Sequence, residues 1–179
     1  MADAPSSQIW SGRAVFVAIA FALIFAQLLP LDTRPTIWAA PNWLLAVTLA
    51  WVVRRPDFVP VTSIILVFFF ADLLFQRPPG LWTALIVVLT EILRARTSSI
   101  RDLPVLLEWG MVAVGIIAVT LINRAILIVV MTPHPPLALT LIEMIMTIVF
   151  FPVVLIIGQV VFGIQRPAVG QTNNRGHRL

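Results

Sequence analysis

The sequence predicts an all-α integral membrane protein, a single bundle of six transmembrane helices. Three observations predict it. Sixty per cent of the 179 residues are apolar and 11% are charged, against about a quarter charged in soluble domains. The mean hydropathy is +1.01. Most charges cluster between apolar runs of spanning length. At about 20 residues per span, the chain has room for six or seven spans and no sizeable soluble domain, so 1–179 is read as one transmembrane domain.

The first element follows a short polar stretch, 1–12, and spans 14–29 behind Trp10 and Arg13. Its apolar run is long for a signal peptide, and Trp38 stands where a cleavage site wants a small residue, so it is read as an uncleaved anchor. The second span, 37–53, carries Pro41 and Asn42 in its first turns, where a missing N–H is tolerated. Arg54-Arg55-Pro56-Asp57 breaks the chain, and the third span, 58–75, contains Asp72 close to its end. A tight turn at Pro78-Pro79-Gly80 leads to the fourth, 81–93.

A charged connection with Arg94, Arg96 and Arg101 precedes the fifth span, 103–131, which holds Glu108, Asn123 and Arg124. It is long for one upright helix, and 125–131 either continues it or lies along the interface. Thr132-Pro133-His134-Pro135-Pro136 stops it. The last span, 137–162, contains Glu143 and Pro152, and the tail 163–179 is polar with three arginines.

All twelve basic residues are arginine. With six spans, nine of them (Arg13, Arg54, Arg55, Arg94, Arg96, Arg101 and the three of the tail) fall on one side, and only Arg34 and Arg77 on the other. The positive-inside rule then places both termini in the cytoplasm. Trp10, Trp51 and Trp109 fall near the cytoplasmic face and Trp38, Trp43 and Trp82 near the outer one, as interfacial tryptophans should. The basic charge is therefore read as a topology signal and not as a nucleic-acid footprint.

Ionisable groups inside a span cost at least about 2.5–3.5 kcal/mol at its centre, so each should be paired, interfacial or functional. From the rise of about 1.5 Å per residue, Arg124 and Glu143 both lie about 10 Å below the outer ends of adjacent antiparallel helices. They are expected to form an ion pair. Asp72 lies about 5 Å and Asn42 about 7 Å below the same surface. The expectation is a polar, outward-opening pocket or docking surface, with Asp72 alternatively an interfacial or backbone-capping residue. Glu91 should meet Arg94 on one helix face, and Glu108 should be an interfacial carboxylate balanced by loop arginines.

Chemistry-bearing motifs are few. There is no Cys, and His134 and His177 have no partner at ligand spacing, so neither a metal nor another cofactor is expected. Ser63, Ser98 and Ser99 have no local base and no glycine-rich phosphate loop occurs.

Pro41-Asn42 opening a span, Arg54-Arg55-Pro56 closing it, a span ending in Asp72, and Pro79-Gly80-Leu81 opening the next together resemble the bacterial rod shape-determining membrane protein MreD family. The resemblance is best over 41–96. Where that family would carry glycines before the Asp and between it and the Pro, this chain has Phe69 and Gln76.

The resemblance implies a non-enzymatic scaffold in the inner membrane. Its partners would be an MreC-like shape protein, the actin-like MreB, wall-synthesis enzymes and membrane lipids. The implied fold is similar to the substrate-binding subunits of energy-coupling-factor transporters, and Asn42, Asp72, Pro79 and Gly80 are the matching site residues. Arg124 and Glu143 come from the depth argument alone. A small-ligand-binding transporter subunit is the alternative. An intramembrane hydrolase using Asp72 and Glu143 is a third reading, without an accompanying motif.

Overall fold

The computed structural model describes residues 6–29, 39–96, 105–133 and 135–162. Arg34, Trp38, Arg101, His134 and the tail lie outside them. Among the described residues there are six α-helices and no strand: α1 (Ser6–Leu28), α2 (Trp43–Arg54), α3 (Val61–Leu74), α4 (Leu81–Ala95), α5 (Val105–Val129) and α6 (Leu137–Phe162), with a 3₁₀ turn at Pro56–Phe58. Three of them, α1, α5 and α6, are long and apolar enough to cross a membrane. The other three have 12, 14 and 15 residues, or about 18–23 Å each.

Several boundaries differ from those read in the sequence. The second helix begins at Trp43 because Asn42 is its N-cap, with φ −76° and ψ 83°. Pro41 and Asn42 therefore precede the helix and do not occupy its first turns. The third begins at Val61, after the 3₁₀ turn and Pro60. The fifth continues through 125–129 as helix, which decides between the two courses open for that segment.

The shortest helix, α2, is central. Nine of the 12 residues of α2 are buried, and α2 packs most extensively on α6 while α3 packs on α4. Each other helix offers the core one stripe: Phe16, Ala20 and Ile24 from α1, Ile64, Val67, Phe68 and Ala71 from α3, Ile86, Leu89 and Leu93 from α4, Val112, Ile116 and Val119 from α5, and Phe151, Val154 and Leu155 from α6. Spacings of three and four keep such residues on one face. The opposite faces are also apolar, with Leu66, Leu106 and Val160 all at least 70% exposed. A bundle that is hydrophobic all round is suited to a hydrocarbon solvent.

At one end of the bundle, Arg54 closes α2 and its Nε lies 3.0 Å from Glu108 Oε1 in the first turn of α5. Glu108 is 1% exposed, so the expected balance by an arginine is met inside the bundle, by Arg54. Arg94 meets Glu91 at 3.1 Å as expected, and its Nη2 also donates to the Val59 carbonyl at 2.7 Å. Two tryptophans are packed inside the bundle. Trp51 is buried between Phe16 and Phe58, and Trp82 is buried at the other end.

Pro152 interrupts the hydrogen-bond ladder of α6, leaving the carbonyl four residues earlier, Ile148, without a helical donor. Trp109 Nε1 on α5 donates to that carbonyl at 2.9 Å. The proline thus creates an acceptor that ties two helices together.

The end of α3 is a Schellman motif: the Arg77 N–H donates to the Asp72 carbonyl and the Gln76 N–H to that of Leu73. Gln76 sits at φ +53°, the left-handed position that glycine fills without steric cost. Relieving this with Gln76→Gly should stabilise the protein by about 0.5–1 kcal/mol, read as a higher midpoint in reversible unfolding. An unchanged or lower midpoint would contradict the strain at this position.

Candidate functional site

The site is built at the Asp72 end of the bundle, where α3 turns into α4. Leu81 donates its N–H to the Pro78 carbonyl at 3.3 Å, and Gly80 adopts φ +86° and ψ −16°. Proline followed by glycine at the two central positions makes this a type II turn, which demands a positive φ at its second centre. The open N-terminus of α4 has no side-chain cap of its own. Asp72 supplies one from the preceding helix: its Oδ2 accepts from the Gly80 N–H at 3.1 Å, the Thr83 N–H at 3.2 Å and Thr83 Oγ1 at 2.8 Å. A carboxylate there satisfies orphan donors and complements the helix dipole. Asp72 is 1% exposed, so the backbone-capping alternative is realised in a buried setting.

Asn42 organises the neighbouring junction. Its Oδ1 accepts from the Leu45 N–H at 3.1 Å and caps α2. Its Nδ2 donates to Glu143 Oε1 at 3.2 Å, and its backbone N–H donates to Thr147 Oγ1 at 2.8 Å. Thr147 Oγ1 in turn donates to the Glu143 carbonyl at 2.6 Å. One asparagine therefore joins the start of α2 to the middle of α6.

Above this junction lies a cavity of about 380 Å³, within the range of about 300–1,000 Å³ usual for small-molecule sites. Asn42, Arg124 and Glu143 line it, together with Arg77, Trp82 and Thr140. A smaller hollow of about 150 Å³ shares Asn42, Arg77, Trp82 and Glu143 and reaches Gln27 of α1. Of the six residues singled out in the sequence, Asn42, Arg124 and Glu143 thus share one cavity. Asp72, Pro79 and Gly80 do not line it; they hold the turn that positions Pro78, Leu81 and Trp82 in its wall.

The expected Arg124–Glu143 ion pair does not form. Arg124 Nη1 donates to the Pro135 carbonyl and to Thr140 Oγ1, both at 3.1 Å, while Glu143 is held by Asn42. Thr140 lies nearly one turn closer to the mouth than Glu143, and it captures the guanidinium first.

Arg77 and Trp82 are functional candidates that the sequence reading passed over. In the sequence Arg77 reads as a topology charge. Its guanidinium lies over Phe75 at 5.4 Å and Trp82 at 5.9 Å, a cation–π placement, and the residue lines both hollows. The nearest sequence signal was its place one residue before the Pro-Pro-Gly turn.

Chemically, this arrangement can hold a polar group between two guanidiniums and a carboxylate. Among the described residues, no group of His, Cys, Asp and Glu could hold a metal ion. Asp72 and Glu143 do not converge on one cavity. Compared with known proteins, the chain matches no family model, no curated protein and no solved structure.

Proposed function

We propose that this chain is a non-enzymatic, six-span scaffold of the bacterial inner membrane. In this reading it works in the cell-elongation complex with an MreC-like protein, MreB and the peptidoglycan-synthesising enzymes, as its resemblance to the MreD family implies. Both termini are cytoplasmic, and the Asp72 end faces outward. The observation that carries the reading is where the resembling residues lie. Asn42, Arg54, Asp72 and the Pro79-Gly80 turn are all spent on joining one helix to another. Such joints favour a rigid body offered to partners over a reacting centre. The apolar outer faces and the three long apolar helices support membrane residence. The short α2, α3 and α4 cross in this reading by using their flanking turns and by local thinning of the bilayer.

Depleting the protein in its host tests the assignment. Rod-shaped cells should round up, and an MreC-like partner should co-purify from membranes. Cells that keep their rod shape, in an organism that elongates by lateral wall synthesis, would sink it.

The cavity favours a second reading, a small-ligand-binding membrane subunit, because scaffolding alone does not require a polar hollow of about 380 Å³. A gene neighbourhood containing a transport ATPase would favour this reading, and one of shape and wall-synthesis genes the first.

A further inference from the structure

The cavity's charges point to the kind of group it would hold. The helices α2, α4, α5 and α6 form a closed ring, α2 against α6, α6 against α5, α5 against α4 and α4 against α2. All four contribute to the lining. The strongly exposed lining residues Gln76, Arg77, Pro133 and Pro135 all belong to the two connections at one end. Entry is therefore through the Asp72 end and not sideways between helices.

Three charged residues face this space: Arg77, Arg124 and Glu143, a net charge of +2 − 1 = +1. None of the three is paired in an ion pair among the described residues. Arg124 Nε is buried without a hydrogen-bond partner, and the Arg77 guanidinium rests on aromatic rings alone. Glu143 uses one carboxylate oxygen for Asn42. A simple anion would satisfy the arginines and be repelled by Glu143, and a simple cation would do the reverse. A molecule carrying an acid and an amine a few atoms apart answers all three charges at once.

We propose that this cavity binds a compact zwitterion of the aminoalkyl phosphate class, with the phosphate between Arg77 and Arg124 and the ammonium toward Glu143. A phosphate monoester brings about −1.5 to −2 charges at pH 7; with one ammonium, the ligand complements the site's net +1. The inference rests on reading the cavity as a ligand site. A lipid headgroup reaching in at the mouth is a second source of the phosphate and ammonium; its phosphodiester carries a single negative charge, so it would answer the three side chains without neutralising the net +1.

The test is calorimetric titration of the full chain in phosphatidylglycerol nanodiscs with phosphoethanolamine, inorganic phosphate and ethanolamine. Phosphoethanolamine should bind saturably and more tightly than either half. Arg77→Gln and Arg124→Gln should each weaken it about tenfold. Glu143→Gln should weaken phosphoethanolamine and strengthen inorganic phosphate, opposite shifts that general loss of structure does not produce. If adding phosphatidylethanolamine to the discs competes with the soluble probe, the lipid headgroup is the source; if it does not, the free compound is. Inorganic phosphate binding as tightly as phosphoethanolamine, or no probe binding at all, would overturn the proposal. Native mass spectrometry of the membrane-extracted protein separates the two levels of failure. A bound small molecule of another class leaves the cavity a ligand site and removes only the zwitterion, whereas an empty protein that binds no probe removes both.

Discussion

Replacing Glu108 by alanine is expected to destabilise the bundle by about 3–5 kcal/mol, the usual consequence of removing one member of a buried ion pair. Arg54 Nε lies 3.0 Å from Glu108 Oε1, and the two side chains are 11% and 1% exposed. In a bundle whose outside is apolar, water is poorly placed to replace the lost carboxylate at the guanidinium. The paired change Arg54→Met with Glu108→Leu should recover most of the loss, because two apolar side chains of similar volume carry no desolvation penalty. Reversible unfolding from mild micelles by a denaturing detergent measures all three proteins. A single variant that unfolds like the wild type would show that the pair is not holding α2 to α5.

The second large effect is at Asp72. Its alanine variant should lose about 2–4 kcal/mol, since one carboxylate oxygen accepts three hydrogen bonds at the start of α4. Caps are ordinarily worth about 0.5–2 kcal/mol, and hydrogen bonds to charged groups about 1.5–3. Asp72→Asn keeps an acceptor of the same shape but not the charge that complements the helix dipole, so about half the loss should remain. Thr83→Val removes the hydroxyl partner alone and should cost less than either. The ordering Ala, then Asn, then Val, from most to least damaging, is the diagnostic. If Asp72→Asn proves as damaging as Asp72→Ala, the role of Asp72 is not that of a cap.

The two positions differ in how visible they were. Asp72 stood out as a lone carboxylate near the end of an apolar run, followed by Pro79-Gly80, and backbone capping was among the readings its position allowed. Glu108 stood close to arginines in the chain, which made an interfacial role natural. Its partner, Arg54, is 54 residues away in the sequence, and the two meet because α2 and α5 both pack on α4 and α6.

The cavity shows the same division. Composition and the spacing of apolar runs were enough to predict six helices, the turn at Pro79-Gly80, and polar side chains gathered toward one end, because these follow from local rules of burial and backbone geometry. The rise per residue was enough to place Arg124 and Glu143 at similar depth. Depth is only one coordinate, however. Each residue also turns by about 100° around its helix axis, and the choice of partner depends on which helices are neighbours and how each is rotated. That is why Arg124 meets Thr140 and Pro135, Glu143 meets Asn42, and Arg77 comes from its turn to face the cavity. Chain-local chemistry settled the helices and the polar end of the bundle. Helix rotation and packing, which are collective properties of the folded chain, decided which charges meet and which face the cavity.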